Sequence, residues 1–372
     1  MKMLKIIVVA GARPNFMKVA PFMKRVAGHN ASDRSGAAQV ETRLVHTGQH
    51  YDEKMSEVFF RELGIPQPDI NLGVGSGSQA AQTASVMTSF EPVCIQEKPD
   101  WVVVVGDVNS TVACTLVCAK MGIRVAHVEA GLRSFDRTMP EEINRLVTDA
   151  LADLLLTPSE DANENLRREG VSGERIKLVG NIMIDSLIEN LPMSRQSKIL
   201  QRHQIEPGRF VFVTLHRPAN VDGRASLTAI MAEVERLARR LPVLFPIHPR
   251  TRKMLGEFGI VPGEGQGLHL IEPVGYHDSL CLTENALLVL TDSGGLQEEA
   301  TFFRTPCLTL RPNTERPVTV TIGSNRLTNL HQLAKDVDEC LSGPERKGQV
   351  PPLWDGHTAE RTLEQILGAS RS

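Results

Sequence analysis

Short runs of aliphatic and β-branched residues recur along the chain, separated by amphipathic stretches of helical length, and this alternation predicts βα units around parallel sheets. In the first half the runs read as strands over 4–10, 43–47, 101–106, 124–129, 154–157 and 176–179. In the second half they fall at 210–215, 243–247, 268–271, 287–291 and 307–309. The polar, partly helical stretch 181–207 between the halves reads as a crossing between two domains, one over 1–180 and one over 208–356. A segment rich in glycine, proline and charge at 342–352 precedes a final helical stretch from about His357 to Leu367, and the tail 357–372 is expected to return to the first domain. The run Gly73-Val74-Gly75-Ser76-Gly77-Ser78 follows no strong strand and fails the dinucleotide-binding spacing, so it reads as a loop.

Length agrees with that division, since 372 residues are enough for two domains with filled cores. Charge narrows the partners: 41 basic against 44 acidic residues leave a net charge of −3, and no basic field exists to collect nucleic acid or an acidic membrane surface. Aromatic residues, at 4%, are too few for a stacking platform. Apolar runs fall far short of the roughly 18–20 residues of a spanning helix, and the N-terminus reads as a first strand and its loop rather than a cleavable signal. Six cysteines without a C-x-x-C pair are expected to be reduced core thiols. A cytoplasmic enzyme is the expectation. The Gly-Lys pair of a phosphate-binding Walker loop, the G-x-S-x-G elbow and H-E-x-x-H are all missing from the sequence, which excludes those chemistries.

What remains are polar residues where strands end, the place at which open α/β sheets bind ligands. The first strand runs into Gly11-Ala12-Arg13-Pro14, where a strand–glycine–helix junction, Arg13 and Lys18 could receive an anion or form an ordinary basic helix start. Asp107 follows one apolar strand, where it could simply cap the next helix, and Glu129 follows the next strand; on adjacent parallel strands they share one sheet edge, the usual arrangement for acid/base work. Pro140-Glu141-Glu142 suits a helix start, and Glu141 and Arg145, four apart, share a helix face as a surface ion pair or a functional one. His216 and His248 end neighbouring strands and read as a proton-transfer group and a phosphate or base contact; with no third ligand at zinc spacing, no metal is expected. The most specific element is Asp292-Ser293-Gly294-Gly295 at a helix start, where backbone N–H groups could surround a diphosphate and a glutamate two turns into the helix could accept from ribose hydroxyls, or which could be a helix cap with no ligand. Arg311 and Arg316 follow in the next loop.

In this order the motifs Gly-Ala-Arg-Pro at 11–14, His-Thr-Gly-Gln-His at 46–50, Gly-Asp at 106–107, His-Val-Glu-Ala-Gly-Leu-Arg at 127–133, Pro-Glu-Glu-Ile-Asn-Arg at 140–145, His-Arg at 216–217, Asp-Ser-Gly-Gly at 292–295 and Thr-Glu-Arg-Pro at 314–317 resemble the non-hydrolysing UDP-N-acetylglucosamine 2-epimerases over roughly 4–340. The resemblance implies an α/β, glycosyltransferase-B-like fold, with two Rossmann-like domains whose parallel sheets face a central cleft. It implies catalytic roles for Asp107, Glu129, Glu141, Arg145 and His216, and UDP-sugar contacts for Arg13, Lys18, His248, Ser293, Gly294, Gly295, Glu299 and Arg316. It also implies a homodimer, no cofactor, and C2 epimerisation through elimination of UDP to 2-acetamidoglucal and re-addition. Gln49, His50 and Arg217 match a region through which bacterial members are activated by a second substrate molecule, whereas Asp52 and Ala219 depart from it. Ala12, Asn15, Pro218 and Ala219 also differ from many members, which leaves a 3-amino or uronic-acid form of the sugar open as substrate. The remaining alternatives are a hydrolysing 2-epimerase that releases UDP and N-acetylmannosamine, a glycosyltransferase, and a non-catalytic UDP-sugar sensor.

Overall fold

The computed structural model describes residues 3–11, 13–32, 39–48, 67–263, 267–342 and 348–371, with only the backbone of Arg13 and Pro14. Ala12, Gln49, His50 and Asp52 lie outside the described residues. The chain divides into two compact units, Met1–Ile188 with Pro352–Ser372, and Glu189–Pro351. The division falls inside the helix Ile182–Ser194, so the stretch expected as a crossing is split, and 352–356 group with the first unit.

In the first unit the strands are β1 (Leu4–Ala10), β2 (Val40–His46), β3 (Ile70–Asn71), β4 (Trp101–Val105), β5 (Arg124–Val128), β6 (Leu154–Thr157) and β7 (Ile176–Leu178). They form one parallel sheet in the order β3-β2-β1-β4-β5-β6-β7. The order reverses between β1 and β4, the position at which a doubly wound sheet leaves a crevice at its carboxyl edge. Ile7, Val9, Val102, Val104, Val125 and Leu155 pack from the sheet against Val86 and Phe90 of the helix Gln79–Glu97 and Val117 of the helix Asn109–Met121. Ser78 caps the former helix by accepting from Ala81 N–H at 3.2 Å, so the glycine-serine run is the approach to a helix.

The C-terminal helix Thr358–Ala369 belongs to this unit and packs against the helix Arg13–Ala31 with Ala359, Leu363 and Ile366 buried. Asp185 accepts from the N–H groups of Thr358 and Ala359 at 3.1 and 2.7 Å, Arg361 Nε donates to the Val179 carbonyl at 2.6 Å, and Trp101 Nε1 donates to Ser370 Oγ at 2.9 Å.

The second unit repeats the plan with β8 (Val211–Thr214), β9 (Val243–Pro246), β10 (Leu268–Ile271), β11 (Leu288–Thr291), β12 (Cys307–Leu310) and β13 (Asn325–Thr328), all parallel in the order β10-β9-β8-β11-β12-β13. Its crevice lies between β8 and β11. Val211, Val213, Leu288, Leu290 and Leu308 form its core with Leu227, Ile230 and Val234 of the helix Arg224–Ala238. The six cysteines are free thiols, five of them buried. Among the described residues no helix is long and apolar enough to cross a membrane.

Candidate active site

In the first unit, β4 and β5 pair with Val105 opposite Val128, which brings Asp107 and Glu129 to the same sheet edge. Asn15 holds the crevice between β1 and β4 in register: its Oδ1 accepts from Gly11 N–H at 3.1 Å, and its Nδ2 donates to the Val105 carbonyl at 3.1 Å. One turn further along the same helix, Lys18 Nζ lies 2.5 Å from Glu129 Oε2, both side chains buried. Gly106 makes room for that pair, because with φ at +67° a Cβ there would come within 2.9 Å of Lys18 Nζ. Glu129 itself has φ of +69°, a left-handed conformation that costs a non-glycine residue on the order of 1–3 kcal/mol and is retained only where its surroundings impose it.

Arg145 lies within the helix Pro140–Leu151 and is 2% exposed. Its Nη1 donates to Asp107 Oδ2, while Nε and Nη2 donate to Glu142 Oε2 at 3.0 and 2.7 Å. Glu142 also accepts from Ser134 N–H and Phe135 N–H, both at 2.9 Å. Burial works to raise the Glu142 carboxyl, but Ser134 N–H, Arg145 and Phe135 N–H outweigh it and hold the group below its usual range. The four-apart pair Glu141 and Arg145 does not form: Arg145 turns to Glu142 and Asp107, and Glu141 is exposed at the helix start. Asn144 completes the cluster by donating from Nδ2 to the Asp107 carbonyl at 2.9 Å. The Asp107 carboxylate remains 29% exposed, open to a ligand while pinned from behind.

In the second unit the organising group is Asp292, a wholly buried carboxylate directly after β11. It accepts from His216 N–H at 3.1 Å, from Arg217 N–H at 2.9 Å and from Asn220 Nδ2 at 3.0 Å, and its Oδ1 lies 2.9 Å from His216 Nδ1. Burial works to raise this carboxyl, and the His216 ring, Asn220 and Arg217 N–H together hold it below the usual range. With Nδ1 turned to Asp292 and the side chain 41% exposed, His216 is oriented with its other nitrogen available. The His248 ring stands 5.4 Å from that of His216 and caps its own helix by accepting from Arg250 N–H at 3.2 Å. Burial, then the neighbouring His216 charge, lower the His248 pKa.

Ser293 caps the helix Gly294–Phe303, accepting from Leu296 N–H at 3.4 Å, so the helix presents free N–H groups at Gly294 and Gly295. Arg316 reaches that end: its Nη1 donates to Glu315 Oε1 at 2.5 Å, its Nε lies 2.8 Å from Glu298 Oε1, and a Cβ on Gly294 would sit 3.4 Å from Nη1. Arg311 holds the far side of Glu315 through an Nη2 contact of 2.8 Å. Glu299 is buried, and among the described residues none donates a hydrogen bond to its carboxyl. Burial and the adjacent Glu298 charge push it up to about 8.

The structure thus gathers Lys18, Asp107, Glu129 and Arg145 at one sheet edge, and His216, Arg217, His248, Ser293, Gly294, Gly295, Glu299 and Arg316 around the crevice of the second unit. Glu141 stands apart from the first cluster, and the Arg13 side chain lies outside the described residues. Sequence reasoning missed Asn15, Glu142, Asn144 and the orienting role of Asp292. Asp292 alone carried a usable signal, since a carboxylate directly after a fully apolar strand must take several donors to be tolerated.

The sequence model of the family described as UDP-N-acetylglucosamine 2-epimerase matches residues 33–367. The UDP-N-acetylglucosamine 2-epimerase of Methanocaldococcus jannaschii is 40% identical over 369 residues, covering 97% of this chain and 98% of that protein. A UDP-2,3-diacetamido-2,3-dideoxy-D-glucuronate 2-epimerase of Pseudomonas aeruginosa is 39% identical over 327 residues, 87% of this chain and 88% of that one. The crystal structure of the Methanocaldococcus jannaschii UDP-GlcNAc 2-epimerase, in complex with UDP-GlcNAc and UDP, superposes with a TM-score of 0.85 at 39% identity, covering 98% of this chain and 100% of that chain. This likeness bears out the expected α/β, glycosyltransferase-B-like fold class.

Proposed function

The chain belongs to the UDP-N-acetylglucosamine 2-epimerase family, and from that premise we propose that it interconverts UDP-N-acetylglucosamine and UDP-N-acetylmannosamine by inverting C2 of the sugar. The observation that carries the reading is the pair of carboxylates at one sheet edge, Asp107 held by Arg145 and Glu129 held by Lys18. A binding module has no need of two carboxylates each fixed against a buried cation, whereas proton transfer on opposite faces of one carbon needs separate acid and base groups.

The C2 proton has no carbonyl beside it, so direct abstraction is too slow. Departure of UDP from C1 builds positive charge that acidifies C2–H, and loss of that proton leaves 2-acetamidoglucal and UDP. Re-addition with the proton delivered from the other face gives the epimer. Asp107, Glu129 and His216 serve as the acid/base groups, Arg145 supports Asp107, and Glu141, apart from the cluster, is left without a role at C2. The free N–H groups at Gly294 and Gly295, with Ser293, Arg316, Arg13, Lys18 and His248, receive the charge of the departing diphosphate. Glu299 accepts from the ribose hydroxyls. The family resemblance further supports a cytoplasmic homodimer, which sedimentation of the purified chain tests.

The similarity to the Pseudomonas aeruginosa enzyme, at 39% identity, favours a second reading in which the preferred substrate carries a 3-acetamido group and a uronic acid. A proton NMR time course in D2O with each UDP-sugar separates the possibilities. Deuterium entering C2 as UDP-N-acetylmannosamine appears is the expected result. Accumulation of free UDP and N-acetylmannosamine would assign the hydrolysing outcome instead, and an inert spectrum with UDP-N-acetylglucosamine alongside turnover of the modified sugar would move the assignment to the second reading.

A further inference from the structure

We propose that His127 and Asp149, acting as one hydrogen-bonded pair, are positioning residues that fix the two backbone turns on which Asp107 and Glu129 stand. The proposal rests on the epimerase reading for its assay and on the geometry of the first unit for its content. His127 lies on β5, two residues before Glu129, and is wholly buried. Its Nε2 is 2.9 Å from the carbonyl of Gly106, the residue before Asp107, and its Nδ1 is 2.6 Å from Asp149 Oδ1. Asp149, on the helix Pro140–Leu151 that also carries Arg145, uses Oδ2 to accept from Gly131 N–H at 3.0 Å and from Arg133 Nη1 at 2.7 Å. One ring therefore ties β5 to the end of β4, and one carboxylate ties both to the turn that follows Glu129.

A carbonyl can only accept, so Nε2 is the donor toward Gly106. Burial would raise the Asp149 carboxyl, but the contacts of His127 and Arg133 outweigh it and hold it below the usual range, so Asp149 accepts on every contact. Arg133 is neutralised in turn by Glu169 through contacts of 2.8 and 2.6 Å. Such a buried charged cluster is a weak source of stability, because desolvation offsets most of its attraction. What it does hold is conformation. Gly106, Glu129 and Gly131 have φ of +67°, +69° and +79°, three left-handed positions within the two turns, and the pair makes a hydrogen bond to the first and the third. His127 reaches Gly106 and Asp149 from a buried position and is placed to orient the carboxylates rather than to touch the reacting carbon.

The test uses the full chain with Asp149→Asn, His127→Leu and His127→Gln, the last retaining an amide donor within reach of the Gly106 carbonyl. With UDP-N-acetylglucosamine, Asp149→Asn and His127→Leu are expected to lower kcat per folded molecule by roughly 10–100-fold, since small displacements of catalytic groups have effects of that size. KM and UDP affinity should stay within about twofold, and His127→Gln should recover part of the lost kcat. Amide hydrogen exchange at Gly106, whose N–H donates to the Val128 carbonyl, and at Gly131 should quicken by about tenfold or more in Asp149→Asn while β1 stays protected. A merely structural role predicts a lower Tm with kcat per folded molecule and exchange at those amides unchanged, and that result would overturn the proposal. If the wild-type chain leaves UDP-N-acetylglucosamine untouched, the epimerase reading fails, and the exchange experiment still decides the positioning role.

Discussion

Glu141 and Glu142 are neighbours in sequence with the same chemistry, yet one is exposed and the other is buried against Arg145, Ser134 and Phe135. Adjacent helical positions point about 100° apart, so which glutamate meets the arginine depends on where the 134–135 loop folds, and local spacing holds no record of that. Asp107 and Glu129 were legible because each ends an apolar strand, and strand ends in parallel sheets share an edge by construction. Asp107→Asn and Glu129→Gln are expected to lower turnover by orders of magnitude while UDP affinity, measured by calorimetry, changes little. Equal loss of affinity would show that these carboxylates bind rather than transfer protons. Glu299 gives a second prediction. With its carboxyl pushed up to about 8, it is largely protonated at pH 7, whereas ribose hydroxyls donate best to the ionised form. UDP affinity should therefore rise with pH, strengthening severalfold between pH 7 and 8.5 and levelling off above the Glu299 pKa. Glu299→Gln should bind more weakly and show no such slope.

At the scale of elements, strands with an apolar run declared themselves: 4–10, 154–157 and 268–271 fall where the residue pattern puts them. The other expected runs fall within a few residues of their observed ends. Two strands escaped. β3 has only two residues, and β13 reads Asn325-Arg326-Leu327-Thr328, with Asn325 donating to Gln297 and Thr319 in place of burying an apolar side chain. Edge strands of this kind gain their stability from neighbours distant in sequence, which a run of hydrophobicity does not reveal. The proposed nucleotide site turns on the helix Gly294–Phe303, whose start supplies both the cap and the free N–H groups. Ser293→Ala should remove the cap, lower stability by about 1 kcal/mol in a denaturant titration, and weaken UDP binding in the same variant. Arg316→Ala should weaken UDP binding as well, with the added effect of leaving Glu298 and Glu315 without a shared cation.

For the molecule as a whole, the sequence pattern located two α/β halves but placed 352–356 with the second, and the reason is physical: a proline- and glycine-rich approach has no periodicity by which to assign it. Trp354 is buried, and Leu353 and Asp355 contact Arg361, so the approach is part of the first unit. Removing residues beyond 351 should therefore uncover the helix Arg13–Ala31 and leave the Asp185 carboxylate without the Thr358 and Ala359 amides. The expected result is loss of the first unit's cooperative thermal transition with the second unit's retained, resolved by calorimetry and by hydrogen exchange across β8 and β11. The same connection sets an order during synthesis. The ribosome makes most of the first unit, then the whole of Glu189–Pro351, and only afterwards the helix that packs on Arg13–Ala31. The second unit can condense as it emerges, whereas the first unit is without the buried contacts of Ala359, Leu363 and Ile366 through that interval.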